Sequence, residues 1–225
     1  GRPEPTGSLT ALAGVAPTQA NCTEWISDPS RLLPLVLEAV QGGPPSSVLE
    51  IGCGDSSLPA RFYDAFGGRA VVTAVDISEV ALARSRNAFC GSRPGLRFLN
   101  ADATNLQGLF ADASVGLVVD KGMADTLQFR ARTKHSRALR RGLFAEVFRV
   151  LAPGGLYAMA TPKASPQYLH TVPWVNVSRT QLGEPEGVLF DLASSGNAMA
   201  TAPAKSAYVH LCRKPSFGQT VAPPE

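Results

Sequence analysis

The chain has 225 residues, of which 44% are hydrophobic and 17% are charged. This balance fits one ordinary globular domain with a sizeable core and argues against a disordered chain. A formal net charge of +3 is too close to neutral to indicate a general nucleic-acid or membrane binder. The four cysteines are widely scattered and lack the spacing of a zinc site or a disulfide scaffold, which predicts free thiols in a reducing compartment.

The sequence favours a cytoplasmic protein with one folded domain. No apolar run approaches the roughly 18 residues that a bilayer span needs, and residues 1–20 lack the features of a secretory or transit signal. A mitochondrial location stays open, because the chain begins with Gly1 rather than Met and an upstream segment could have been removed. We expect a flexible tail over residues 1–22, a folded domain over 23–214 and a second flexible tail over 215–225.

Helix and strand patterns alternate along the chain. A helix is predicted over residues 28–43, with Asp28 as its N-cap and Pro29 at its first position. The following elements are expected, in order, to be a strand (46–54), a helix (55–68), a strand (70–76), a helix (78–89), strands at 96–102 and 115–120, a helix (135–155) and a strand (156–161). Two further strands are predicted at 173–182 and 207–214.

This order indicates an α/β fold of the Rossmann-like, doubly wound kind, in a single domain. The apolar strands between helices are typical of a mostly parallel sheet that is covered on both faces. After Thr161 the alternation stops, and the last two strands read as a hairpin that ends the sheet in antiparallel pairing. We therefore expect a seven-stranded sheet.

Glycines and acids follow four of the predicted strands. Gly52 and Gly54 allow a tight turn and a close approach of a ligand to the backbone. Asp76 follows Gly54 by 22 residues (76 − 54), where an acid can accept hydrogen bonds from both hydroxyls of a ribose. Asp102 is placed to meet an adenine amino group, and Asp120 ends the fourth strand. Because the carboxyl ends of parallel strands meet at one edge, the four signals predict a single adenosine-bearing ligand.

A missing glycine reduces the number of candidate ligands. A dinucleotide fingerprint needs a third glycine at position 57, where this chain has Ser57, so a pyrophosphate ligand is disfavoured. The segments "VLEIGCGDSSL", "AVDIS", "NADATNL", "DKGMADTL" and "FRVLAPGGLYAMAT" resemble the ordered motifs of class I S-adenosylmethionine-dependent methyltransferases. Within them, "EIGCGDSSL" and "DKGMADTL" resemble the seven-strand enzymes that methylate lysines and the amino terminus of elongation factor 1-alpha, and their relative that acts on citrate synthase.

The resemblance implies S-adenosyl-L-methionine as the cofactor and a protein amine, a lysine or an amino terminus, as the substrate. It implies a cofactor site formed by Glu50, Gly52, Cys53, Gly54, Asp76, Ile77, Asp102, Ala103, Asp120 and Lys121. Asp120 and Asp125 are the expected catalytic residues: Asp120 where the cofactor's methionine end meets the substrate, and Asp125 to align an incoming ammonium or accept its proton. We further expect Asp120 to lie at the mouth of the pocket with Lys121 as its charge partner. No histidine has metal spacing, so no metal is predicted.

Two departures from the family pattern bear on closure and specificity. Only "TEWISD" stands where the family carries an aromatic and basic segment that closes over the cofactor, and there Trp25 is a candidate cover for the pocket. Met123 and Ala124 replace the usual pair in the substrate loop.

Residues 130–141 contain six Lys or Arg and no acid, which indicates either a solvated helix face or a docking patch for an acidic partner.

Three other functions are weighed. The first is methyl transfer to a small molecule. The second is aminopropyl transfer, which would need a second acid close after Asp120; Lys121 argues against it, and Asp125 leaves a small opening for it. The third is a scaffold that has kept the fold and lost catalysis; the intact pocket carboxylates count against it. A membrane partner is not expected, a nucleic-acid partner is disfavoured, and the oligomeric state is undetermined.

Overall fold

A computed structural model describes residues 24, 26–27, 29–40, 43–129, 134–183 and 207–219. The strands are β1 (Ser47–Ile51), β2 (Val71–Asp76), β3 (Leu96–Asn100), β4 (Val115–Lys121), β5 (Leu151–Thr161), β6 (Val175–Gly183) and β7 (Ala207–Arg213). The helices are α1 (Pro29–Ala39), α2 (Leu58–Ala65), α3 (Glu79–Phe89), α4 (Met123–Phe129) and α5 (Lys134–Val150), with a short 3₁₀ helix at Gln167–Thr171.

The strands form one seven-stranded sheet in the order β3-β2-β1-β4-β5-β7-β6. The pairs among β1 to β5 are parallel, and β7 pairs antiparallel with both β5 and β6. The order reverses between β1 and β4, and a sheet of this kind binds its ligand beside such a reversal, at the carboxyl ends of the strands. The predicted fold class is confirmed, including the antiparallel C-terminal pair.

Helices cover both faces of the sheet because alternate strand residues point to opposite sides. On one face, side chains of β1 and β4 such as Val48 and Val119 pack under α1, α2 and α3. On the other face, Leu49 and Val118 pack under α4 and α5. Asp120 shares its face with Val118, whereas Lys121 and Glu50 lie on the opposite face, so neighbouring polar residues of one strand enter different environments.

Some boundaries differ from those predicted. Helix α5 ends at Val150 rather than at residue 155, and the chain continues directly into β5, which begins at Leu151. The first part of β5 is irregular: Gly154 adopts a φ of 75°, and the pairing register of β4 with β5 shifts between Val115 and Leu117. Helix α4 and the 3₁₀ helix were not predicted.

Several predictions fall outside the described residues. They are the N-terminal tail, Trp25, the N-cap Asp28, residues 130–133 of the basic segment, residues 184–206 between the last two strands, and residues 220–225. The chain is described as far as residue 219, beyond the predicted end of the domain at 214. Among the helices described, none combines the length and apolar character that a membrane span requires.

Candidate active site

The turn after β1 approaches α4 closely. Gly52 and Gly54 have φ angles of 64° and 55°, a conformation in which a side chain would be strained. A Cβ added at Gly52 would lie 2.8 Å from the Cβ and the Sδ of Met123, whereas one at Gly54 would meet no atom within 4 Å. The first glycine therefore allows α4 to pack on the turn, and the second leaves open space beside it.

Asp76 holds this turn against β2. Its Oδ2 accepts a hydrogen bond of 2.8 Å from the backbone N–H of Gly54, and its Oδ1 accepts one of 2.8 Å from the N–H of Ser78 at the start of α3. An ionised carboxylate offers about four acceptor positions, so two remain after these bonds. The side chain is only partly buried and can receive further donors.

Glu24, which the sequence did not mark as a site residue, joins the segment before α1 to this turn. Its carboxylate accepts hydrogen bonds from the Ser57 N–H (3.0 Å), from the hydroxyls of Ser56 (2.9 Å) and Ser57 (2.8 Å), and from the Lys121 ammonium (2.7 Å). Burial would raise the pKa of Glu24, but the Lys121 charge and the Ser57 donors outweigh it and lower the pKa. This carboxylate thus ties the start of α2 to the end of β4.

Glu50 lies on the same face as Lys121 and is almost fully buried, at 1% exposure. Burial raises its pKa to about 8, although the positive charge of Lys121 acts in the opposite direction. Its Oε2 is buried without a hydrogen-bond partner in the described structure. An unpaired buried polar atom is costly, and at a ligand site it marks a place where a donor from the ligand can bind.

Asp120 differs from the prediction in two respects. It was expected at a pocket mouth, but it is fully buried, and it accepts hydrogen bonds from the Tyr157 hydroxyl (2.9 Å) and from the N–H groups of Met123 (2.7 Å) and Ala124 (3.2 Å). Lys121 was expected as its charge partner, but successive strand residues point to opposite faces, and the Lys121 ammonium binds Glu24. Burial raises the pKa of Asp120 to about 7 against the effect of these donors.

Asp125 lies on α4 and meets two side chains from the segment after β5. Its Oδ1 accepts a hydrogen bond from the Tyr168 hydroxyl (3.1 Å) and forms an ion pair with the Lys163 ammonium (2.9 Å). Its Oδ2 is buried without a hydrogen-bond partner in the described structure. Sequence reasoning missed Tyr168 and Lys163, because they lie about forty residues further along the chain and have no motif of their own.

Aromatic rings pack around the two acids. Tyr157 stacks on Trp174 with ring centroids 5.5 Å apart, and Phe144 stacks on Tyr168 at the same separation of 5.5 Å. Trp174 also lines an open cleft of about 420 Å³, beside Ala164 and Leu169. The two tyrosines that donate to Asp120 and Asp125 are thus each packed against a further aromatic ring.

The remaining predicted residues are placed as follows. Ile77 is 59% exposed directly after Asp76, where an apolar surface can pack against a ligand ring. Asp102 is exposed, and its Oδ1 accepts hydrogen bonds from the N–H (2.8 Å) and the hydroxyl (2.7 Å) of Thr104, which is a local turn. The side chains of Cys53 and Ala103 are buried in the core, so only their backbones can face a ligand, and burial raises the pKa of the Cys53 thiol.

These residues fit an adenosine-bearing cofactor such as S-adenosylmethionine. Asp76 keeps two acceptor positions for ribose hydroxyls, Gly54 leaves open space beside the turn, and the unpartnered Oε2 of Glu50 lies buried on β1. Among the described residues, no group of three or more His, Cys, Asp or Glu could hold a metal ion. The individual cofactor contacts predicted for these residues stay predictions.

Comparisons with known proteins agree with this interpretation of the site. Residues 48–155 match the family described as "Methyltransferase domain". With the fold and the site at its carboxyl edge, this match makes nearly half of the chain similar to methyltransferase domains. The resemblance stated from the motifs agrees with this match, and S-adenosylmethionine is the cofactor that both imply.

The particular relatives are protein methyltransferases. The human eEF1A lysine and N-terminal methyltransferase is 40% identical over 114 residues, which is 51% of this chain and 16% of that protein. The human mitochondrial citrate synthase-lysine N-methyltransferase is 37% identical over 135 residues, 55% of this chain and 54% of that protein. The chain thus spans at most about half the length of these two relatives.

A solved structure has the same fold at low sequence identity. The N-methyltransferase NodS from Bradyrhizobium japonicum WM9, in complex with S-adenosyl-l-homocysteine, aligns with a TM-score of 0.58 and 15% identity, over 84% of this chain and 86% of that chain. At this identity the likeness supports the architecture alone.

Proposed function

We propose that this protein transfers the methyl group of S-adenosylmethionine to a lysine or amino-terminal amine of a protein substrate. The observation that supports this most is the pair of buried acids, Asp120 and Asp125, beside the glycine turn. A buried carboxylate with an unfilled acceptor position favours a cationic ligand, and a lysine ammonium supplies both charge and donors. The named relatives act on lysines, which agrees with this choice.

In the proposed mechanism the cofactor supplies a methyl group that its sulfonium has already activated. The residues of the chain then have mainly to position the two reactants, which is where most of the catalytic effect of such a site lies. Asp76 and the Gly52–Gly54 turn bind the adenosine end, while Asp125 receives the substrate ammonium. The amine must lose a proton before it attacks, and we assign this proton to water or to Asp125 without choosing between them.

Asp120 has a positioning role in this proposal. Its carboxylate caps the start of α4 by accepting the N–H groups of Met123 and Ala124, and this fixes the helix that carries Asp125. The Tyr157 hydroxyl holds the same carboxylate from β5. Since Met123 also packs on Gly52, a change at Asp120 would disturb the cofactor end and the substrate end together.

The test is a methyl-transfer assay with radiolabelled S-adenosylmethionine. Elongation factor 1-alpha and citrate synthase are each incubated with the wild-type chain and with Asp125→Asn, and the label in protein is measured. We expect label in one of the two proteins and a loss of about tenfold or more for Asp125→Asn, because an ammonium loses its charged partner. Label that enters only extractable metabolites would support a small-molecule methyltransferase instead.

The absence of transfer in both fractions, despite cofactor binding, would support the scaffold alternative.

We keep the cytoplasm as the proposed compartment, with the mitochondrion as the alternative because one relative is named as mitochondrial. Imaging of the tagged full-length protein tests this choice.

A further inference from the structure

A lysine of the chain itself lies against Asp125. The Lys163 ammonium is 2.9 Å from Asp125 Oδ1 and 4.9 Å from the centroid of the Tyr168 ring. The Tyr168 hydroxyl donates to the same Oδ1 at 3.1 Å. A carboxylate and a ring face together form a binding site for an ammonium, since both attract a cation that has lost part of its water.

The site has acceptor capacity beyond this ion pair. The Asp125 side chain is 3% exposed, and its buried Oδ2 has no hydrogen-bond partner in the described structure. The Lys163 side chain is 31% exposed, so its ammonium can leave toward solvent without unfolding the core. A fixed, buried acceptor with an accessible donor is what an exchange of one ammonium for another requires.

The same site is connected to the glycine turn. Asp125 lies two residues after Met123, which packs on Gly52, and both belong to α4. An ammonium bound at Asp125 is therefore held on the element that also contacts the predicted cofactor site.

We propose that Asp125 and Tyr168 form the subsite for the ammonium of the substrate amine, and that Lys163 occupies this subsite until the substrate displaces it. The inference rests on the proposed function for the identity of the substrate. The exchange puts one ammonium in the place of another at Asp125, so the net charge around the subsite stays the same. The Arg140 guanidinium, 5.9 Å from the centroid of the Tyr168 ring, contributes to that charge in both states. If the Lys163-bound state predominates tenfold, the apparent affinity for the substrate ammonium falls about tenfold.

A binding experiment tests the subsite without any methyl transfer. The full chain, with labelled tyrosine rings, is titrated with n-butylammonium chloride, and the Tyr168 resonances, assigned with Tyr168→Phe, are followed by NMR. We expect Lys163→Gln to respond at about tenfold lower ligand concentration than the wild type. The double variant Lys163→Gln/Asp125→Asn should show no saturable response.

Matched controls separate competition by Lys163 from a general effect of charge. Lys134→Gln removes one positive charge from an exposed position at the start of α5 and should leave the titration as in the wild type. n-Butanol, which has the same alkyl chain without the charge, should not saturate the site. Equal responses of wild type and Lys163→Gln, or no response of Lys163→Gln when its spectrum shows a folded chain, would overturn the proposal.

A kinetic measurement provides the second readout, with whichever protein becomes labelled in the transfer assay. Lys163→Gln should lower the KM for that protein and leave kcat nearly unchanged, because it removes a competitor and not a catalytic group. A higher KM would mean that Lys163 assists binding and would overturn the proposal. If no protein is labelled while butylammonium still binds as expected, the proposed function fails and the subsite stands.

Discussion

Three acids at the carboxyl edge of the sheet lie in different environments, although each ends or nearly ends a strand. Asp76 is partly buried and bonded to two backbone amides. Asp120 is fully buried and meets three donors. Glu50 is buried on the opposite face with one oxygen unpartnered. Burial raises the pKa of Asp120 to about 7 and that of Glu50 to about 8, so these two groups titrate near neutrality.

We predict that Glu50→Gln stabilises the ligand-free protein at alkaline pH and not at acid pH. The folded pKa of Glu50, about 8, lies above its ordinary value, so the folded state binds this proton more tightly and loses stability as the pH rises from about 4.5 to 8. Glutamine is never ionised and escapes this loss. Urea unfolding at pH 5 and pH 9 measures the difference between variant and wild type.

The expected result is a difference in the free energy of unfolding that grows in favour of Glu50→Gln toward pH 9. Asp120 loses stability in the same direction and is present in both proteins, so its contribution cancels apart from its charge repulsion with Glu50. A difference that is independent of pH would contradict the assignment of a raised pKa to Glu50.

Two elements converge on the glycine turn, and each has its own contact. Helix α4 touches the turn through Met123, and the segment before α1 touches it through Glu24. The family resemblance implies a segment in front of the first helix that closes over the cofactor, and Glu24 of "TEWISD" contacts this edge of the sheet.

We predict that Gly52→Ala destabilises the protein more than Gly54→Ala does. Both glycines have a positive φ, so alanine costs about 1–2 kcal/mol at each for backbone strain. Only at position 52 would the new Cβ also overlap Met123, which adds about 1–3 kcal/mol. Thermal unfolding of the two variants measures the difference. Equal costs at the two positions would argue against the packing of α4 on the turn.

We also predict that Glu24→Gln weakens the binding of S-adenosylmethionine and destabilises the fold by about 2 kcal/mol, because the buried Lys121 ammonium loses a charged acceptor. Glu79→Gln is the matched control: the same chemical change in the exposed pair with Arg86 should cost less than about 1 kcal/mol. Calorimetric titration and urea unfolding provide the two readouts. Unchanged cofactor affinity in Glu24→Gln would show that this segment does not support the site.

At the scale of the whole molecule, the sequence predicted the sheet better than the surroundings of the site. Strands such as β4 carry unbroken apolar runs, and these predict a buried parallel strand wherever the pairing falls. The acids at the strand ends were found because their spacing is local. Tyr157, Tyr168 and Lys163 were missed because their contacts to Asp120 and Asp125 depend on how β5 lies beside β4, which one sequence does not encode as a motif.

The same architecture predicts an order of local stability. In β4, Leu117, Val118 and Val119 are completely buried and pair with strands on both sides, whereas most side chains of β6, at the edge of the sheet, are exposed. We expect the amides of β4 to exchange with deuterium last and those of β6 much earlier. Hydrogen exchange followed by mass spectrometry measures this, and equal protection of the two strands would contradict the observed strand order.

The measurement that tests the central claim most directly is a calorimetric titration of the chain with S-adenosylmethionine, beside Asp76→Ala and the control Asp112→Ala. Asp112 is exposed at the opposite end of β4, so its removal should leave binding unchanged. We predict saturable binding that is lost in Asp76→Ala and kept in Asp112→Ala. Absent binding by the wild type, or full binding by Asp76→Ala, would contradict the assignment of this edge as the cofactor site.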